Sequence, residues 1–158
     1  MKIGESGYVQ NTKLILSSAE NARKAIKNEI PEVMLASRHF TSVVAITTRS
    51  DVANPINVIA LADVMKDKFK WNLNKLQSPS GLHIAFTVGN SPFWRKFVDD
   101  LKNSIKMMLD DPKLNHNDST AFYGMAAKIP DSRILGDVAK IYNGAILDAI
   151  WSRISKKH

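Results

Sequence analysis

Between residues 71 and 88 the hydrophobic period of this chain falls to two, and that change constrains the fold more than any other feature. Leu82, Ile84, Phe86 and Val88 alternate with His83, Ala85 and Thr87, which places the two sets on opposite faces of a strand. Just before them, Trp71, Leu73 and the stem of Lys75 alternate with Asn72, Asn74 and Leu76. Ser78-Pro79-Ser80-Gly81 lies between the two stretches with the residue types of a turn, so the segment predicts a hairpin. Residues 42–48, SVVAITT, are short and rich in β-branched side chains and predict a further strand.

The flanking segments follow a helical period instead. Tyr8, Thr12, Ile15, Ala19, Ala22 and Ile26 recur at steps of three and four and predict a long helix over residues 8–29, stopped by Pro31. Asn54-Pro55 predicts the start of a second helix that runs to about Phe69, with Pro55 in its first turn. Ser91-Pro92 predicts a third, capped by the Ser91 hydroxyl, with Phe93, Phe97, Leu101, Ile105 and Met108 as its buried stripe and Asp111-Pro112 as its end. A polar loop over residues 113–130 leads to a last helix from about Asp131, with Leu135, Val138, Tyr142, Ala145 and Ala149 facing inward. Helices and a few strands in this order predict an α+β domain, a small antiparallel or mixed sheet covered by helices on one face.

At 158 residues the chain is long enough to bury a substantial core as one domain. The absence of cysteine removes disulfides, thiolate zinc sites and cysteine nucleophiles, and fits a reducing compartment. The apolar runs at residues 42–46 and 58–62 are far shorter than the roughly 18 residues of a membrane span, and no signal-type stretch follows Lys2. These features read as a cytoplasmic protein. The net charge of +7 is scattered, densest at residues 66–70 and 153–158. It describes a solvated basic surface better than a nucleic-acid platform, since the strands lack the aromatic signature of an RNA-binding sheet.

Few residues point to chemistry. None of His39, His83, His116 and His158 stands in a zinc-type ligand pair. His83 reads as a packed or surface residue of its strand, and His116 with Asp118 as ordinary polar loop. No serine lies in a nucleophile-elbow context, and there is no phosphate-binding glycine loop. Met107 and Met108 read as core filling, Trp71 as an anchor of the sheet on a helix, and Trp151 as a plug for the last helix. Tyr123 differs. It sits between Phe122 and Gly124 in a loop of about eighteen residues, a length that marks functional loops. Its phenol could meet a phosphate or carboxylate, or Phe122 and Tyr123 could tack the loop onto the core.

Several fragments carry a resemblance when taken in order: Gly4-Glu5-Ser6-Gly7-Tyr8-Val9, Trp71-Asn72-Leu73-Asn74, Leu76-Gln77, Pro79-Ser80-Gly81-Leu82-His83-Ile84 and Tyr123-Gly124-Met125-Ala126. Together they resemble the C-terminal part of the sphingosine-1-phosphate lyase family, fold-type I enzymes that use pyridoxal phosphate and are related to the group II amino-acid decarboxylases. The resemblance implies a connecting helix over residues 1–30 and a C-terminal small domain over residues 31–158. It implies an apolar docking surface on the first helix for the large domain. In the complete enzyme it implies pyridoxal phosphate as cofactor, a phosphorylated sphingoid base as substrate, a homodimer, and Tyr123 with Gly124 as a substrate-binding or gating element. The family's Schiff-base lysine follows a histidine, and no His-Lys pair occurs in this chain. The expectation is therefore a domain that is not catalytic by itself and binds no cofactor alone. It would pair with the missing large domain or with an intact family subunit. A group II decarboxylase fragment and a noncatalytic docking or regulatory module are the alternatives.

Overall fold

The computed structural model describes residues 4–37, 39–77 and 79–116. The long helical pattern forms α1 (Glu5–Glu29), three residues longer at its start than the apolar spacing alone indicates. It is followed by β1 (Val33–Leu35), β2 (Val43–Thr48), α2 (Val58–Phe69), β3 (Asn74–Leu76), β4 (Gly81–Ala85) and α3 (Trp94–Asp110), with short 3-10 turns at Ser91–Phe93 and Pro112–Asn115. The four strands form one antiparallel sheet in the order β1-β2-β4-β3. The α+β expectation holds. β1, too short to show a period, is the strand the pattern did not reveal.

Register explains which face is covered. Val44 pairs with Ile84 and Ile46 with Leu82, and all four are buried on the helix side. Leu35 extends the same face from β1, opposite Ile46. These side chains join Ile26, Leu61, Met65, Phe97 and Leu101 from the three helices in one core. Phe86 continues the buried alternation of β4, whereas Val88 lies beyond the strand and is exposed. Gly81 is required by proximity: a Cβ there would lie 2.9 Å from the Ile46 carbonyl oxygen.

Two helix starts differ from expectation. α2 begins at Val58 because the Asn57 side-chain oxygen accepts from the backbone N–H of Ile59 at 3.0 Å and of Ala60 at 3.4 Å. That is an N-cap, and it leaves Pro55 outside the helix. α2 ends with Lys70 at φ 66°, where Lys70 N–H donates to Lys66 and Trp71 N–H to Met65. This left-handed cap satisfies the last carbonyls. Before α3, Ser91 begins a 3-10 turn and its buried hydroxyl has no partner, so it is not the cap. Asn90 organises the approach instead, accepting from Thr87 N–H at 2.7 Å and donating to the Ala85 carbonyl at 3.0 Å. Phe93, the first residue of the expected stripe, is consequently exposed, while Phe97, Leu101, Ile105 and Met108 are buried.

Trp71 anchors the sheet end as its sequence position suggests. Its ring meets Phe97 edge-on at 5.3 Å, and its indole N–H donates to Asp100 at 2.7 Å. Lys96 donates to the same Oδ2 at 2.6 Å, so two donors converge on one oxygen of the buried Asp100.

Candidate functional site

The sequence assigns its one functional loop to Tyr123 and Gly124. Both lie outside the described residues, as do Asp118, Trp151, His158 and the last expected helix. The surfaces described here are built around α1 instead.

The two halves of α1 meet different surroundings. Ser18, Ala19, Ala22, Arg23, Ala25 and Ile26 are buried, but no residue between 5 and 17 is. The apolar pattern nevertheless continues. Tyr8 and Ile26 stand eighteen residues apart, about five turns at 3.6 residues each, so they share a face. Ile26 is 1% exposed and Tyr8 64%. Val9 and Leu16, seven residues apart, form an adjoining line at 47% and 36% exposure. The apolar surface expected on the first helix is present.

Arg23 fixes the body next to that surface. Its guanidinium is almost fully buried, and it donates to the Thr41 carbonyl at 2.6 Å, the Thr41 hydroxyl at 2.8 Å and the Val43 carbonyl at 2.7 Å. It also reaches the Ser37 hydroxyl and Glu20, each at 3.3 Å. One side chain thus ties α1 to the loop between β1 and β2, using the planar donor fork that lysine lacks. Glu20 meets His39 of the same loop at 3.6 Å. Partial burial pushes the Glu20 carboxyl up, but His39 and then Arg23 outweigh it and hold the group below the usual glutamate range.

Next to Thr41 lies Phe40. It is 92% exposed and has φ 62°. The left-handed basin costs a residue with a Cβ about 1 kcal/mol or more, and an exposed ring recovers no burial in return. Lys70 shares that conformation because it ends a helix. Phe40 ends none.

Beside the loop, an open groove of about 600 Å³ runs between α1 and β1, floored by Ile30 and Val33 and edged by Lys27, His39 and Arg49. Arg49 is committed already, with a two-point contact to Asp51 at 2.9 and 3.1 Å that holds the aspartate carboxyl down. At the far end of α1, Glu29 accepts from Arg95 at 2.7 and 2.8 Å, and Arg95 also meets Asp99 at 2.6 Å. These contacts hold Glu29 below the usual glutamate range and raise Arg95 above its own.

Among the described residues no three His, Asp or Glu side chains converge as metal ligands. The groove does not fit pyridoxal phosphate either. That cofactor needs an imine-forming lysine opposite an acid for its ring nitrogen, and the groove's Lys27 faces no carboxylate in its lining. His83 is half-buried on β4, His116 is exposed, and among the described residues no helix is long and apolar enough to cross a membrane.

No protein-family model matches the chain. Individual proteins do. The sphingosine-1-phosphate lyase of Drosophila melanogaster is 31% identical over 144 residues, which are 90% of this chain and 25% of the fly protein. That of Arabidopsis thaliana is 27% identical over 87% of this chain and 24% of its own length. Sphingosine-1-phosphate lyase 1 of Rattus norvegicus is 27% identical over 96% of this chain and 25% of its own length. The solved structure of the Burkholderia pseudomallei lyase shares the fold, with a TM-score of 0.59 and 23% identity over 78% of this chain and 26% of that one. This chain is similar in sequence to the sphingosine-1-phosphate lyases, shares the fold of part of one of them, and spans about a quarter of their length.

Proposed function

We propose that the chain serves as the C-terminal small domain of a pyridoxal-phosphate-dependent carbon–carbon lyase that cleaves phosphorylated sphingoid bases to a long-chain aldehyde and phosphoethanolamine. In this reading residues 1–30 form the connecting helix and residues 31–158 the domain itself. The observation that carries the reading is the lopsided match: 90% of this chain aligns with only 25% of the fly lyase. The unburied first half of α1 supports it, since an apolar face that outruns its own domain suits a body three times larger.

The division of labour follows. The large body supplies the cofactor, whose electron-withdrawing ring supports carbon–carbon cleavage, and a cytoplasmic homodimer of the whole enzyme carries the activity. This chain has no His-Lys pair and contributes no Schiff-base lysine. Its part is to close the site and orient substrate, with Tyr123 hydrogen-bonding the substrate phosphate or gating its entry and Gly124 allowing the turn there. The test is a chimera in which this chain replaces the matching C-terminal quarter of the Drosophila lyase. Cleavage of a phosphorylated sphingoid base is expected, falling about tenfold or more with Tyr123→Phe. A folded, cofactor-loaded chimera without activity overturns the reading.

A further inference from the structure

We infer that Phe40 is a pre-set docking anchor, seated in an apolar pocket on the large body of the complete protein. The inference rests on the reading above and adds a contact to it that the connecting helix does not predict. Three observations converge. The ring is 92% exposed on a backbone that disfavours it, at φ 62°. The residues just after it, Thr41 and Val43, are held by a buried guanidinium. The loop also adjoins the open line of α1, because His39 meets Glu20, one helical turn beyond the exposed Leu16.

The loop that carries Phe40 thus reaches α1 one turn beyond Leu16, and Val9 stands two turns before Leu16 on the same exposed line. An aromatic fixed before association loses little rotamer freedom on binding, which is the usual character of an interface hot spot. A surface ring that served only to shield the domain would sit against it, whereas the Phe40 ring is exposed and meets the ring of its neighbour His39 edge-on, at 6.4 Å between centroids. The occupant is the body of the longer protein, since the relatives carry about three quarters of their length beyond the region matched here.

The experiment compares Phe40→Asn in the 158-residue chain and in the fly-lyase chimera. Asparagine accepts the left-handed basin, so the folding constant of the separate chain should rise roughly fivefold. In the chimera the same change should lower the thermal midpoint and the lyase activity, with Phe40→Leu recovering part of both. Amide exchange at residues 39–43 should slow at least tenfold on going from the separate chain to the chimera. An active chimera in which Phe40→Asn is neutral or stabilising overturns the anchor and leaves the domain reading intact. A chimera that never assembles, with exchange over residues 5–17 as fast as in the separate chain, overturns both.

Discussion

The two halves of α1 share one pattern and have opposite fates. From Ser18 onward the helix is built into the core, whereas before it Ile15 packs against the core only partly and Tyr8 faces solvent. Propensity and periodicity are properties of the segment, but burial is a property of what surrounds it. The difference teaches that a helix can advertise a partner by the place where its apolar face outruns its domain. The inner half is secured by interactions whose loss the chain itself would feel, whereas the outer half, apart from Ile15, leaves its apolar side chains exposed.

The sharpest way to break this contrast is one substitution in each half. Arg23→Ala removes donors from the Thr41 and Val43 carbonyls at a buried position. The expected loss of stability is about 3 kcal/mol or more, read by urea denaturation. Leu16→Asp, two turns earlier, should change the stability of the separate chain by no more than about 0.5 kcal/mol while abolishing assembly in the chimera. If Leu16→Asp costs as much as Arg23→Ala, the outer half is structurally committed and the contrast fails.

A smaller effect is expected where the sheet end meets α3. Trp71→Phe keeps the edge-on contact with Phe97 but removes the hydrogen bond to Asp100. The expected cost is about 1–2 kcal/mol, because Lys96 still neutralises the carboxylate. Asp100→Asn in the Trp71→Phe background should then recover part of the loss. No recovery would mean that the indole's area, and not its N–H, holds the corner.

What the sequence made legible follows the same division between segment and surroundings. The hairpin and β2 could be read because alternation and β-branching report strands directly, and α1 and α3 because their stripes span many turns. β1 could not, since three residues carry no period. Pro55 and Ser91 misplaced two helix starts because several nearby residues can cap, and only the packing selects Asn57 for one and an Asn90-organised turn for the other. Phe40 and Arg23 were invisible for a further reason. An exposed aromatic and a buried guanidinium each look ordinary in a sequence, and their meaning lies in a backbone angle and in contacts reaching twenty residues along the chain. The resemblance to the sphingosine-1-phosphate lyases, by contrast, was legible from short fragments taken in order, without any of the packing.

The smallest expected effect concerns the far end of α1, where Glu29 clamps the inner half to Arg95 of α3. The hydrogen bonds from Arg95 lower the Glu29 carboxyl most; partial burial pushes it up, and the charges of Arg95 and Lys102 draw it down again, so that it stays below its ordinary value. A carboxyl lowered on folding contributes stability above its unfolded pKa and loses it as pH falls through the folded one. The contribution should therefore be complete at neutral pH and fade once pH drops below the ordinary glutamate value of about 4.3. Glu20 and Asp51 shift in the same direction, so the acid limb of the native chain sums all three. Glu29→Gln isolates one of them. It should lower stability slightly at pH 7 and flatten the acid limb, leaving exchange over residues 5–17 unchanged at every pH because that half never used the clamp. A native and a Glu29→Gln profile that stay parallel down to pH 3 would show that the ion pair forms without contributing, and that apolar packing alone holds the inner half in place.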